Sequence, residues 1–411
     1  MAALKYWIWL STRKGLTPGE LVRVAEHFGS PELAYYSDPV EYEQLGLRKS
    51  KWETLLDKSL EEAEEILGNC DRLGVSVLTL QDADYPERLR QIYDPPCVLY
   101  LKGKLPAVDE WVSIGVVGPR KPSVYGVEMA TQLGMDLARG GVLLISGLAQ
   151  GIDAVALTSA LRNGGTVISV LGCGVDICYP TQNAQLYQDI AASGVLVSEY
   201  PPGTSPEGWR FPARNRILSG LCLGVVAVEG SAHSGALITA RHALDQNRDV
   251  YVFPAQVNTA TSTGTNRMLE RGEAQCILSA QLLLREYAER YPGFLKTPEP
   301  LPPQVREERT AQFEPQPLLP PTEGEGEKNM VDKEAKRAYI TLNECKMSLS
   351  DDEQEILLAL QDGPLHPDEL VERMQAPARR VLSALTMLQV QGMVEEGEQK
   401  RFFAAVAICD G

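Results

Sequence analysis

Between Val75 and Gln256, short apolar runs alternate with amphipathic stretches. Six runs rich in β-branched residues are typical of buried strands, namely WVSIGVV, GVLLIS, TVISVL, GVLVSE, LGVVAVE and DVYVF. Between them lie MATQLGMDLARG, DAVALTSALRNG, AQLYQDIAASG and ALITARHALDQN, whose apolar residues recur at helical spacing. Strands that are apolar on both faces and alternate with helices form parallel sheets that helices cover on both sides. The pattern therefore predicts an α/β domain, a Rossmann-like doubly wound parallel sheet, over residues 69–290.

Both flanks of this domain have a different pattern. Before it, residues 1–68 predict short helices, because Thr17-Pro18 opens an amphipathic stretch that Gly29 ends, and similar stretches follow. We interpret these residues as a helical module similar to a SAM or helix-hairpin-helix domain. After the domain, residues 291–350 are rich in Pro, Glu and Gln, which predicts a flexible linker.

The last segment, residues 351–411, predicts a winged-helix module of three helices and two short strands. The helices are expected at about 352–361, 367–374 and 377–390. Arg379 and Arg380 open the third helix and could contact a DNA backbone. The wing sequence EEGEQKR is half acidic, so a contact with protein is an equal alternative.

The formal net charge of -16 is distributed unevenly along the chain. Residues 1–110 have a balance of -6 and residues 291–411 a balance of -9, whereas residues 111–290 hold 13 basic and 14 acidic side chains. Between Arg210 and Arg248 there are five arginines and two acidic residues. Because salt confines such fields to about 8–10 Å, an anion site here is compatible with the overall acidity. Structural ion pairs are the alternative explanation for these arginines.

The sequence lacks the signatures of several classes of protein. Apolar runs stay far below the ~20 residues of a membrane span, and the start has no signal-peptide cleavage pattern, so we predict a cytoplasmic protein. The 8 cysteines are scattered, which predicts reduced thiols and no metal. The phosphate-binding motif of ATPases, GxxxxGK[ST], and the serine-hydrolase motif, GxSxG, do not occur. The sequence GCG does not match the dinucleotide-binding motif GxGxxG. We therefore expect neither an ATPase nor a serine hydrolase, and no NAD or other cofactor.

Glycine and small hydroxyl residues follow almost every predicted strand of the sheet. In an open parallel sheet, ligands bind beyond the carboxyl ends of the strands, where helix N-termini add positive potential. Glycine there lets backbone N–H groups approach a ligand closely. The positions best suited to phosphate oxygens are Ser146, Gly147, Gly151, Ser234, Gly235 and Thr239.

The stretch FPARNRILSG, residues 211–220, is predicted to pass over the carboxyl edge of the sheet. Phe211 offers a face for stacking a base, although a core position is the alternative for an aromatic residue. Asn215 can hydrogen-bond a base edge or fix the loop. The candidate phosphate contacts around them are Arg120, Arg210, Arg214 and Arg216. Together these residues predict a groove for single-stranded nucleic acid.

Six motifs in order resemble the DprA/Smf family of DNA-processing proteins. They are VGPRKPSVYG, SGLAQGIDAVA, GCGVDICYPTQN, SEYPPGTSPEGWRFPARNRILSGL, VVAVEGSAHSGALITARHALDQNRDVYVFP and STGTNRMLERG, within residues 70–290. The resemblance implies single-stranded DNA binding in a Rossmann-like pocket and protection of incoming DNA in natural transformation. It also implies loading of the RecA recombinase during DNA recombination, a homodimer, and no established catalytic activity.

The resemblance carries most of the DNA-binding positions onto this sequence, and Arg210 and His233 lie beside them. The complete predicted set is Arg120, Ser146, Gly147, Gly151, Arg210, Phe211, Arg214, Asn215, Arg216, His233, Ser234, Gly235 and Thr239. Relatives often have lysine where this chain has His233. We therefore expect somewhat weaker DNA binding at neutral pH.

Two other functional classes stay open as alternatives. A nucleotide-processing enzyme similar to phosphoribohydrolases would use the same pocket, but the P-G-G-x-G-T-x-x-E motif of those enzymes is absent. Asp153 and Glu199 could be catalytic carboxylates; we favour a helix cap for Asp153 and an ion pair with a pocket arginine for Glu199. The second alternative, a transcription regulator, is supported only by the predicted winged helix.

The end of the core domain has more apolar residues than one packing face needs. Such an excess usually marks an interface. We predict a homodimer interface formed by Ile277, Leu278, Leu282, Leu283 and Leu284. A helix packed only on its own sheet is the alternative.

Overall fold

The structure is a computed structural model that describes residues 3–232, 234–292 and 295 and part of the C-terminal region. In that region it describes residues 338–341, 351–360, 363, 365–374, 376, 380–381, 384–385, 388–389, 393–396, 401–404 and 406–409. The chain divides into two compact units, Met1–Pro317 and Leu318–Gly411. Within the residues described, no helix combines the length and the apolar character that crossing a membrane requires.

The first unit consists of helices on both sides of a nine-stranded sheet. Its helices are α1 (Leu4–Ser11), α2 (Pro18–Phe28), α3 (Pro31–Tyr36), α4 (Pro39–Tyr42), α5 (Lys49–Trp52), α6 (Glu61–Leu73), α7 (Glu87–Arg90), α8 (Val124–Arg139), α9 (Ile152–Arg162), α10 (Ala184–Ser193), α11 (Arg210–Gly220), α12 (Gly235–Asp245), α13 (Thr263–Glu270) and α14 (Ala280–Arg290). Short 3₁₀ turns lie at Glu43–Leu45, Glu53–Leu56, Val108–Glu110, Thr181–Asn183 and Ala260–Ser262.

The strands of this sheet are β1 (Ser76–Thr79), β2 (Val98–Gly103), β3 (Ser113–Val117), β4 (Leu143–Ser146), β5 (Val167–Leu171), β6 (Val195–Ser198), β7 (Gly224–Ala227), β8 (Asp249–Val252) and β9 (Gln275–Cys276). Their order is β1-β2-β6-β5-β4-β3-β7-β8-β9. The seven strands from β6 to β9 are parallel, and β1 and β2 extend the edge in antiparallel pairing. The predicted doubly wound parallel sheet is therefore confirmed.

The chain direction across the sheet reverses between β3 and β7. Strands β3 to β6 follow one another outward, and the chain then returns to place β7 on the other side of β3. Ile114 accordingly lies between Leu144 of β4 and Gly224 of β7. In sheets of this kind, ligands bind in the crevice outside the carboxyl ends near such a reversal. The loops after β3, β4, β5 and β7 are therefore the expected place for a ligand site.

The N-terminal helices follow the predicted signals closely. Thr17 caps α2 and forms a capping box with Glu20, and Gly29 ends the helix with a φ of +79°. These are the contacts that satisfy free backbone groups at helix ends. Buried residues of the helical module join those of the sheet in one continuous hydrophobic cluster. The boundary at residue 68 stays a prediction, although the packing is shared across it.

The stretch FPARNRILSG differs from its prediction. It forms most of α11 rather than an irregular loop, and its residues from Arg214 onward are buried. The reason is the crossover from β6 to β7, because two parallel strands of one sheet need a long connection that is usually helical. The helix places the first residues of this stretch near the carboxyl edge and the remainder in the interior.

The second unit has its own small core, formed around Ile356, Leu360, Leu370 and Phe402. Its described elements are α15 (Asp351–Ala359), α16 (Pro367–Met374), β10 (Ala338–Thr341), β11 (Val394–Glu396), β12 (Phe402–Ala404) and β13 (Val406–Cys409). The first two predicted helices and the predicted pair of strands are confirmed. Much of the third predicted helix lies outside the described residues.

Two predictions about this region change. Part of the predicted flexible linker, strand β10, pairs in parallel with β13. Arg380 donates two hydrogen bonds to Asp352, at 2.9 and 2.6 Å, so its guanidinium is bound within the protein. Arg379 lies outside the described residues.

Candidate functional site

A buried carboxylate occupies the crevice at the reversal of the sheet. Glu229, just beyond β7, accepts hydrogen bonds from the backbone N–H of Ser123 at 3.0 Å and from the Ser123 hydroxyl. Ser123 is the N-cap of α8, and a Cβ atom at Gly126 would overlap Oε2 of Glu229. Dinucleotide-binding sheets place a pyrophosphate at the N-terminus of the first crossover helix. Here the protein's own carboxylate takes that place.

The loop after β4 is built around the peptide groups of Gly147. Its N–H donates to Oδ2 of Asp153 at 3.1 Å, and its carbonyl oxygen accepts from Nη1 of Arg214 at 3.0 Å. A Cβ atom at Gly147 would lie 2.5 Å from the Arg214 guanidinium, so glycine is needed for this approach. Ser146 is fully buried and donates to the carbonyl of Val116 at 2.6 Å. The Ser146 hydroxyl therefore stabilises the sheet rather than facing a ligand.

Arg214 is buried and does not offer its charge to the surface. It also donates to the carbonyl of Val170, and its Nε donates to Oδ1 of Asn215 at 3.2 Å. Burial lowers the pKa of Arg214, and the nearby Asp153 opposes that change. Burial likewise raises the pKa of Asp153 to about 6, against the attraction of Arg214. In the structure Arg214 is bound by the carbonyls of Gly147 and Val170, and Oδ1 of Asn215 accepts from Arg214, so DNA contacts of these two residues stay a prediction.

Arg216 is likewise bound within the protein. Its Nη2 donates to Oε1 of Glu199 at 2.7 Å, and its Nε donates to the carbonyl of Asp94 at 2.9 Å. The ion pair expected for Glu199 is confirmed. Asp153, in the first turn of α9, accepts a hydrogen bond from the N–H of Gly147 in the preceding loop. This contact is close to the helix cap that we predict for Asp153. Neither carboxylate is left as a free acid or base.

Arg210 contacts the aromatic rings of Tyr200 and Trp209. Its guanidinium lies 5.1 Å from the ring centre of Tyr200 and 5.0 Å from that of Trp209. It also forms an ion pair with Glu207 at 3.1 Å and donates to the carbonyl of Ser205. Structural contacts, the alternative left open by composition, therefore account for Arg210, Arg214 and Arg216.

Arg120 and Phe211 form an accessible patch, which we call the Phe211 pocket, with Gly172 and Tyr179. The ring of Phe211 is half-buried and lies against Gly172, where a Cβ atom would be 2.9 Å from it. The ring centre of Tyr179 is 5.5 Å away, with the two planes at 35°. The exposed Arg120 places its guanidinium 5.9 Å from the Phe211 ring centre. This pocket combines an accessible cation with two aromatic faces.

The remaining predicted positions shape the loops around the sheet edge. Gly151 has a φ of +78° and packs so closely on the loop after β3 that a Cβ atom would overlap the carbonyl of Pro119. Ser234 caps α12 by accepting from the N–H of Ala236 at 3.3 Å. Gly235 is exposed and Thr239 is buried. His233 lies outside the described residues.

The predicted dimer residues separate into two groups. Ile277 and Leu283 are fully buried, and Leu284 packs against Gly140 just after α8, so these three belong to the core of their own chain. Their assignment to an interface is wrong, because β9 and α14 complete the sheet edge with them. Leu278 and Leu282 are 77% and 44% exposed. These two side chains remain available for an interface.

Sequence reasoning missed three members of this surface. Tyr179, Tyr200 and Trp209 were not placed in the candidate site. Tyr200 and Trp209 lie in the stretch between a strand end and the arginine-rich sequence, which was their signal. The position of Arg210 over both of these rings, and the contact of Tyr179 with Phe211, could be found only from the fold.

Comparison with known proteins agrees with this architecture. The family model for DNA recombination-mediator protein A matches residues 76–288, and the model for the DprA winged helix domain matches residues 345–399. Protein Smf of Synechocystis is 33% identical over 412 residues, covering 97% of this chain and 98% of that protein. The DNA processing protein DprA of Bacillus subtilis is 38% identical over 53% of this chain and 73% of its own length.

A solved structure gives the same result for the fold. The X-ray structure of DNA processing protein A from Streptococcus pneumoniae superposes with a TM-score of 0.61 at 31% identity. It covers 69% of this chain and 97% of that protein. The chain therefore belongs to the DprA/Smf family of DNA recombination mediators and carries a DprA winged-helix domain.

Proposed function

We propose that this protein binds single-stranded DNA at the Phe211 pocket. The observation that carries the proposal is the exposed guanidinium of Arg120 beside the half-buried ring of Phe211 and the exposed ring of Tyr179. Stacking of bases on aromatic faces, combined with a cation for the backbone, is the usual means of binding single strands without sequence preference. Arg214 and Arg216 bind Gly147 and Glu199 and so hold α11, which carries Phe211, against the sheet loops.

In this proposal the protein acts through binding rather than catalysis. It protects incoming DNA in natural transformation and loads the RecA recombinase onto it, as the resemblance to its family implies. The structural roles of Asp153, Glu199 and Glu229 support a binding protein, since each carboxylate is held by partners in the protein. A hydrolytic enzyme would need one of them to reach a substrate or a water molecule.

We test DNA binding by fluorescence anisotropy of the full-length protein with labelled oligo-dT and with duplex of the same length. We expect tighter binding to the single strand, because a duplex keeps its bases stacked on one another and unavailable to Phe211. Affinity should fall as salt rises, because cations on the protein release counterions from the phosphates. Equal or tighter binding of duplex at every salt concentration would contradict the proposal.

We also propose a homodimer that uses the exposed side chains of Leu278 and Leu282. Wild-type protein at tens of micromolar is expected to have the mass of a dimer in light scattering. Leu278→Asp together with Leu282→Asp should give a monomer, since a charge on each side of an apolar contact opposes its burial. Leu283→Asp is the matched control and should unfold the chain, because Leu283 is buried in its own core. A monomeric wild type would end this proposal.

A further inference from the structure

We infer that Trp209, Tyr200 and Arg210 form a second base-stacking platform beside the Phe211 pocket. The inference rests on the proposed function, because this platform would add a second contact to the same single strand. We call these three residues the Trp209 platform. Its ligand is a base of single-stranded DNA next to the one held at Phe211.

The ring of Trp209 is fixed in place without being buried. Its indole N–H donates to Oε2 of Glu207 at 2.6 Å, and the guanidinium of Arg210 lies 5.0 Å from the ring centre. Tyr200 meets the indole edge to face, with ring centres 6.3 Å apart and planes at 89°. Nevertheless 59% of the Trp209 surface is accessible. A large aromatic ring that these contacts fix, with an arginine over it and most of its surface still accessible, is suited to stacking a flat partner.

The loop that carries the platform is anchored at its middle. Asp176 accepts the N–H of Gly203 on both carboxylate oxygens, at 2.9 and 3.0 Å. The carbonyl of Thr204 accepts the N–H of Gly174 at 2.9 Å. Gly203 takes a φ of +84° in the turn that follows two prolines. Because the loop is fixed, a base binding there meets an ordered surface and loses little affinity to ordering of the protein.

The Trp209 platform repeats the construction of the Phe211 pocket. In each, an arginine lies over an aromatic ring that remains accessible, with Arg120 on Phe211 and Arg210 on Trp209. The two rings are two residues apart in sequence, at the start of α11. Arg210 already has Glu207 and Ser205 as partners, so the platform contributes stacking rather than a phosphate contact. In this inference the two sites hold bases of one single strand.

Intrinsic fluorescence provides a direct test in the full-length protein. Trp7, Trp9 and Trp52 are buried and Trp111 is half-buried, so Trp209 is the accessible tryptophan among the five. We expect oligo-dT to quench the emission of Trp209, and Trp209→Phe to abolish that part of the quenching. Trp209→Ala should weaken oligo-dT binding by about 5- to 100-fold, whereas Trp209→Phe should keep most of the affinity, because a phenyl ring can still stack.

Two controls separate stacking from a structural role. Tyr93→Ala removes a side chain that is 93% exposed elsewhere and should leave affinity unchanged. An oligonucleotide with abasic sites keeps the phosphates but offers no bases, so wild type and Trp209→Ala should bind it equally. An equal loss for Trp209→Phe and Trp209→Ala, or an equal loss on abasic DNA, would overturn stacking at Trp209.

The outcome also distinguishes this inference from the proposed function. If wild type binds no oligo-dT at all, the proposed function fails. If wild type binds oligo-dT without quenching of Trp209, and Trp209→Ala binds as tightly, the Trp209 platform is refuted while the Phe211 pocket stands.

Discussion

Replacing Arg214 with alanine is expected to lower the free energy of unfolding by about 3–5 kcal/mol, the range for removing one partner of a buried charge pair. The guanidinium holds the carbonyls of Gly147 and Val170 and lies close to Asp153. Without it, these buried acceptors lose their donor and Asp153 loses its countercharge. The loss can be measured by guanidinium chloride denaturation followed by tryptophan fluorescence. All five tryptophans lie in the first unit, so the signal reports on that unit alone.

The defect of Arg214→Ala should depend on pH. The pKa of Asp153 is already raised to about 6 by burial, and removing Arg214 raises it further. A carboxyl whose pKa is higher in the folded state binds a proton on folding, so stability is greater at low pH and falls as pH rises. The variant should therefore be closer to wild type at pH 5 than at pH 8. Adding Asp153→Asn should recover part of the loss at pH 8, and no recovery would contradict the buried pair.

Replacing Arg120 and Phe211 together with alanine is expected to weaken oligo-dT binding by about 2–5 kcal/mol. A charge-assisted hydrogen bond to phosphate and a stacked base each contribute about 1–3 kcal/mol. The two side chains touch, so their losses need not add. Anisotropy titrations of both single variants and the double variant give the coupling directly.

The same variants separate binding from folding. Arg120 is exposed, so the free energy of unfolding of Arg120→Ala should lie within about 0.5 kcal/mol of the wild-type value, while oligo-dT binding is weakened. Arg214→Ala is its matched opposite, with a large loss of stability. If Arg120→Ala bound oligo-dT normally, the Phe211 pocket would not be the DNA site.

The strands were predictable because their sequence pattern has one physical cause. Runs such as TVISVL are apolar except at Thr166 and Ser169, and in the structure Val167–Leu171 is buried at every position. The antiparallel strands β1 and β2 were harder to predict, since Ser76 is exposed and Lys102 is only half-buried. Their pattern resembles an ordinary loop until the neighbouring strand is known. Helix α1 lies within residues 1–68, for which short helices are predicted, although KYWIW alone is as typical of a strand as of a helix.

The arginines show where sequence reasoning fails at a site. FPARNR predicts positive charge at a surface, yet α11 is accessible at its first residues and buried from Arg214 onward. Phe211 and Arg214 are three residues apart and share a helix face, so their different exposure depends on how far along the helix each one lies. The signal for a buried arginine was the glycine at position 147, which leaves room for the guanidinium. No pattern within one stretch could connect two residues that are far apart in sequence.

The carboxylate of Glu229 has a consequence for selectivity in the cell. A vacant helix N-terminus at α8 would attract the terminal phosphates of free nucleotides, which are abundant, and they would compete with a rare incoming strand. With Glu229 bound to Ser123, a buried carboxylate side chain already occupies that end of the sheet. Under the proposed function, a mononucleotide would therefore lack the helix end at which its terminal phosphate is usually bound. A single strand would not need that position, because it can be held along its length.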